Sequence, residues 1–429
     1  MAGSRQELCH YRVTGMPMPS KSFLQYLFIA VIALIFFGLI GFYLIINKQK
    51  ATIEKSDIAR GYQTLPTSLD KNDTSSPTAE VSNIKETAIT DRTGENSPKT
   101  PQRLWQVTRT PVAGMGFVGK TASSTLYFAE RSSGYIFAAT PKTGTVTRLS
   151  NRLFPKIYDA YFDETGGIIF LSINEDGVVT TFSGTISASS TLLGKFLQNE
   201  IRALSINRKT GELFYLRNNS SGDTLGVISA RDGSRERTIF SSPLSNWRPI
   251  ILSDGRTFVA QNASDNVPGY AYEIKGGALT PVLRGIPGLT FLPRKQSDAV
   301  LFSTSGNGAL QLYAIANGSR RVPLKTIAEK CVWSSNPEGS RDLIAYCAVP
   351  QTAPAQNFLE AWYHGKIYTS DDWWRVNATD GTVDFLYSPE AGLSIDVENP
   401  TIDGDDETIA FINRKDQTLW ILHINEKAG

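Results

Sequence analysis

The chain has 429 residues, with 43 Lys and Arg against 41 Asp and Glu, three His and a formal net charge of +2. So even a balance creates no large field of either sign, and no basic run is interleaved with aromatics, which argues against a nucleic-acid partner. The length suits one large all-β domain with appendages.

Taken in chain order, residues 1–21 read as a short tail. Residues 23 to 46, "FLQYLFIAVIALIFFGLIGFYLII", hold 24 positions without a charge. At about 1.5 Å per helical residue they span a hydrocarbon core of roughly 30 Å. A cleaved signal peptide has a shorter apolar stretch and a small-x-small cleavage site, whereas "NKQKATIEK" follows here. We therefore expect a single-pass signal-anchor over 22–47. Arg5, Arg12 and Lys21 before it nearly balance Lys48, Lys50, Lys55 and Arg60 after it, so charge alone does not orient the span. Residues 48–103 are rich in Ser, Thr, Pro, Asn and Lys without apolar periodicity, the composition of a flexible linker. A short tail before the span and a large stalked domain after it favour a cytoplasmic amino terminus and an extracytoplasmic domain.

From residue 104 onward a β-rich unit recurs, as in "TLYFAERSSGYIFAATPKTGTVTRLS", "GIIFLSINEDGVVTTFSG" and "ELFYLRNNSSGDTLGVISARDGSRERTIF". Seven such units are present, most spaced by roughly 43 residues. Each reads as strand A, polar turn, strand B, loop, strand C, Gly-containing turn and strand D, the signature of a propeller blade. The last unit stops after its third strand, "TLWILHI". The segment "RLWQVTRTPV" at 103–112 matches the outer strands of other units and can supply the missing one, closing the ring. The expected domain is one seven-bladed β-propeller over 104–429, with no amphipathic helix. This pattern resembles the TolB-like and WD-repeat-related propellers. No blade ends in Trp-Asp and no sialidase or Kelch signature occurs, so the resemblance implies architecture and not activity.

Catalytic and ligand motifs are scarce. His10 lies before the apolar span, and His364 and His423 have no "GxSxG" elbow to serve. The acidic turn "DGDDE" at 403–407 occupies an A-to-B turn and reads as solvated rather than as a calcium loop. We expect no metal and no cofactor, and no catalytic residue is assigned. Cys331 and Cys347 lie on two segments that read as adjacent antiparallel strands, which leaves a cross-strand disulfide and two buried thiols both open.

One loop breaks the repeat. Between "LIAYCAVP" and the strand carrying Trp373 lie about 20 residues, "QTAPAQNFLEAWYHGKIYTSDD". Their Glu360, Trp362, Tyr363 and His364 form the candidate binding patch, with a small channel-plugging hairpin as the alternative. Trp373 and Trp374 alternate on strand C and should pack into opposite inter-blade faces. Two functions follow. One is a membrane-anchored module that binds an envelope protein or polymer. The other is an enzyme acting on an envelope glycan, with Glu360, Asp371, Asp372 and His364 as its groups.

Overall fold

The computed structural model describes residues 102–425 except 120–123, 188–189, 198–200, 306–308, 317 and 336–341. The apolar span at 22–47 and nearly all of the 48–103 linker therefore lie outside the described residues. Among the described residues, no helix is long and apolar enough to cross a membrane.

Among the described residues, alternating apolar positions between Gly, Asn and Asp turns produce 28 short strands in seven four-stranded antiparallel sheets. The chain enters through β1 (Leu104–Gln106). Blade 1 holds β2 (Val112–Val118), β3 (Thr125–Glu130), β4 (Ile136–Thr140) and β5 (Thr145–Arg148). Blade 2 follows with β6 (Ile157–Phe162), β7 (Gly167–Ile173), β8 (Val179–Ile186) and β9 (Leu192–Phe196). In blade 3 these are β10 (Ala203–Ile206), β11 (Leu213–Asn218), β12 (Thr224–Ser229) and β13 (Arg237–Ser242). Blade 4 comprises β14 (Trp247–Ile251), β15 (Thr257–Gln261), β16 (Pro268–Lys275) and β17 (Ala278–Pro287). Blade 5 is built from β18 (Thr290–Pro293), β19 (Val300–Thr304), β20 (Gln311–Ile315) and β21 (Ser319–Val322). Blade 6 runs through β22 (Cys331–Trp333), β23 (Ile344–Pro350), β24 (Asp371–Asn377) and β25 (Val383–Tyr387).

Blade 7 supplies only β26 (Val397–Ile402), β27 (Thr408–Asn413) and β28 (Thr418–His423) from the end of the chain. Its fourth strand is β1, with Leu104 opposite Leu422 and Gln106 opposite Trp420. This closure removes the sheet edges that an open ring would expose.

Seven apolar clusters, one at each junction between neighbouring blades, make up most of the core. Trp373 is fully buried against Phe411 of blade 7, with ring centroids 5.4 Å apart. Trp374 joins the opposite cluster, shared with blade 5. The two tryptophans thus lock blade 6 to both neighbours, as alternation on a strand requires. First strands approach closely around the axis: a Cβ on Gly114 would stand 1.9 Å from the Ala160 carbonyl oxygen, so β2 tolerates only glycine there. Because strands alternate in direction, B-to-C and D-to-A connections share one end of the ring, here called the upper face. The A-to-B and C-to-D turns form the lower face.

The readings of the insertion are corrected. The long insertion does not fold as a hairpin, and the ring is not free of helix. Residues Phe358–Tyr363 form a six-residue helix, α1, that buries Phe358, Leu359 and Trp362. The i, i+1, i+4 spacing is too short a run to register as periodicity in sequence. Strand C of this blade also starts at Asp371, two residues earlier than Trp373.

Candidate functional site

On the upper face α1 lies across blades 4 to 7. Its apolar side packs on Leu310 and Ile327. Its first turn is fixed to blade 4 reciprocally: the Leu359 amide donates to Asp265 Oδ2 at 2.8 Å, and Glu360 Oε1 accepts from Ser264 Oγ at 2.6 Å and from the Asp265 amide at 2.9 Å. The two carboxyls are pushed apart in acidity. The hydrogen bond from Asp265, helped by Ser264, holds Glu360 down at about 2, while burial and Glu360 itself raise Asp265. At the other end Arg414 donates to the carbonyls of Trp362 (2.9 Å) and Tyr363 (3.1 Å), with its guanidinium 4.3 Å from the Trp362 ring centroid. Arg414 also pairs with Glu398.

Beneath α1 lies a buried charge cluster at the junction of blades 6 and 7. Lys330 is 0% exposed, and its three ammonium protons go to Asp371 Oδ2 (2.5 Å), Asp396 Oδ1 (2.5 Å) and Thr369 Oγ1 (2.9 Å). Trp362 Nε1 closes the cluster from above, 3.0 Å from both Asp396 oxygens. One ammonium faces two carboxyls, and burial raises Asp371 despite the nearby Lys330.

The expected patch is thereby redistributed. Trp362 is 2% exposed and presents no surface to a partner. The Tyr363 hydroxyl donates to Glu329 Oε2 at 2.7 Å, and burial pushes its pKa up to about 12. His364 is exposed, with Nδ1 2.6 Å from the Glu360 carbonyl oxygen. The groups considered for catalysis engage separate partners: Glu360 those of blade 4, Asp371 Lys330, and Asp372 the Ser388 hydroxyl at 2.7 Å and Gln351. Cys331 and Cys347 stand opposite each other on β22 and β23, inside the cluster between blades 5 and 6, and a disulfide joins them. In the acidic turn, Asp403 Oδ1 accepts the Glu407 amide at 2.9 Å and Asp406 accepts the Ser335 amide at 2.6 Å, so both serve the backbone.

The half of the channel away from α1 is open. A cavity of about 460 Å³ is walled by β6, β10 and β14. Its lining includes Tyr158, Asp159, Tyr161, Arg202, Arg208 and Arg248. Arg208 crosses the lower end, donating to Thr401 Oγ1 (2.7 Å) and the Phe117 carbonyl (2.8 Å). Arg248 stands at the upper end and pairs with Glu329. Asp159 accepts the Tyr161 hydroxyl at 2.6 Å. Burial raises it to about 6, against the pull of that hydroxyl and of Arg131. Sequence reading missed these residues. A carboxyl inside the apolar run "KIYDAYF" is the one local signal; the partners of Lys330 lie 41 and 66 residues away, and nothing local marks them.

Fold and site together define the class: a closed seven-bladed β-propeller whose upper face is partly covered by a short helix. No protein-family model matches the chain, and no curated protein does. Solved structures match its fold. An oligogalacturonate lyase from Vibrio parahaemolyticus is 8% identical with a TM-score of 0.50, over 75% of this chain and 94% of that one. The β-propeller domain of the Trilobed protease from Pyrococcus furiosus is 11% identical with a TM-score of 0.46, over 74% and 100%. The Cps50 (Swd1) propeller domain from Myceliophteria thermophila is 6% identical with a TM-score of 0.48, over 75% and 100%. At these identities the likeness concerns the fold alone.

Proposed function

We propose that the chain is a membrane-anchored, extracytoplasmic binding module that presents the upper face of its propeller to an envelope protein or polymer. The observation that carries this reading is the asymmetry between the two faces. Of nine exposed large apolar side chains among the described residues, five sit in upper-face connections: Leu153, Val178, Leu244, Val267 and Tyr368. The other four lie on outermost strands, and among the described residues none lies in a lower-face turn. Apolar side chains set among polar loops are a common mark of interaction sites. The uncharged segment at 22–47 and the polar linker supply the anchor and its reach.

The test is capture from envelope membranes with the Leu244→Asp, Val267→Asp double variant. It should lose a partner that wild type and a Leu193→Asp, Phe196→Asp outer-strand control retain; equal capture by all three would reject the face. Orientation is checked with a membrane-impermeant thiol reagent on intact cells. It should label an exposed Ser221→Cys and leave Cys9 unmodified, and the reverse pattern would overturn the topology.

A further inference from the structure

A second depression lies on the upper face between blades 3 and 4. It measures about 320 Å³ and shares Arg202, Ala203 and Arg248 with the channel cavity, so the two are continuous. Together they have the size of a small-ligand site. We infer that this groove and cavity bind a carboxylate-bearing sugar, such as the sugar-acid unit of an acidic polymer. The inference rests on the upper-face reading and gives it a ligand class.

Charge is the first reason. The cavity wall carries three guanidinium groups, Arg202, Arg208 and Arg248, against one carboxyl, Asp159. Arg248 alone of the three forms an ion pair, with Glu329. Arg208 contacts only neutral oxygens, and the Nε atoms of Arg208 and Arg248 are buried without a partner. Arg202 is exposed at the shared rim. A carboxylate entering here gains charge-assisted, fork-shaped hydrogen bonds in a partly desolvated space.

Hydrogen bonding is the second reason. The groove is lined by the carboxamides of Asn218, Asn246 and Asn262, whose side chains make no hydrogen bond among the described residues. Each offers donors and an acceptor together, which suits hydroxyl groups that are themselves both. An acidic peptide fits less well. The strands bordering the groove already pair on both sides or face the axis, so no sheet edge is free for strand addition.

Isothermal titration of the purified full chain with a glucuronate disaccharide tests the inference, with the neutral glucose disaccharide and a Glu-Glu dipeptide as comparisons. The glucuronate compound should bind at least about tenfold more tightly than either, the scale of one charge-assisted contact. Arg202→Gln should weaken it about tenfold with an unchanged thermal midpoint, and Asn246→Ala by several-fold. Arg235→Gln, on the lower face, should leave it unaltered. No saturable binding, tighter binding of the dipeptide, or an unaltered Arg202→Gln variant would each overturn the inference. If a partner is still captured in a Leu244- and Val267-dependent way, only the sugar-acid assignment falls and the upper-face reading stands.

Discussion

Replacing Lys330 with Met should be among the most damaging single changes in the ring. The side chain is fully buried and all three of its donors are engaged, two of them by carboxylates. A methionine of similar length fills the space but leaves Asp371 and Asp396 without their counter-charge. Breaking a buried ion pair in this way costs about 3–5 kcal/mol. With an unfolding entropy of about 2.1 cal/mol/K per residue over roughly 320 residues, each kcal/mol moves the midpoint by about 1.5 °C. Thermal unfolding of the purified variant near neutral pH should therefore begin about 4–8 °C below wild type. The sign of the pH dependence follows from Asp371. Burial already raises Asp371 and the loss of the ammonium raises it further, so the folded variant keeps a proton there that the unfolded chain releases, and its deficit narrows as pH falls. Adding Asp371→Leu removes one stranded charge and should recover part of the loss. A variant within about 2 °C of wild type, or one whose deficit ignores pH, would refute the account of this cluster.

Three further outcomes follow from the same geometry. Trp362→Ala removes a 2% exposed side chain and the Asp396 cap, at about 3–5 kcal/mol locally; proteolysis should then cut within residues 351–370 while the strand content persists, and unchanged cleavage would contradict the docking of α1. Asp159, raised to about 6 from 3.8 in the folded chain, contributes stability that is present below the unfolded value and lost as pH rises from about 4 to 6. Because Asp159 is only half-buried, the contribution is about 1–2 kcal/mol, and Asp159→Asn should flatten the wild-type decline of the midpoint over that window. Reducing the Cys331–Cys347 bond, which closes a loop of sequence separation 16, should cost about 3 kcal/mol; a Cys331→Ser, Cys347→Ser variant should match the reduced protein and no longer respond to reductant.

Much of the architecture was legible in the chain. Alternation of period two, polar turns at regular intervals and an unfinished last unit lead to seven blades and to β1 closing the ring, because each is a local pattern repeated seven times. The register that sets Trp373 and Trp374 on opposite faces was equally local. The site was not. The insertion at 351–370 stood out by its length, yet Trp362 and Glu360, which by type and crowding resembled a recognition patch, hold α1 in place. Their roles depend on Asp396, Ser264 and Asp265, which come from other blades.

The amino-acid sequence by itself determined the number of blades, the closure and the place where the pattern is interrupted, since strand periodicity and turn chemistry act over a few residues. Only the tertiary structure decided which charges are buried together and which are left without partners. A ring brings the ends of first strands from blades 2, 3 and 4 to a common axis, and that convergence sets Asp159, Arg202 and Arg248 around one cavity. No spacing along the chain encodes it, because each blade contributes a residue whose neighbours in sequence are ordinary strand.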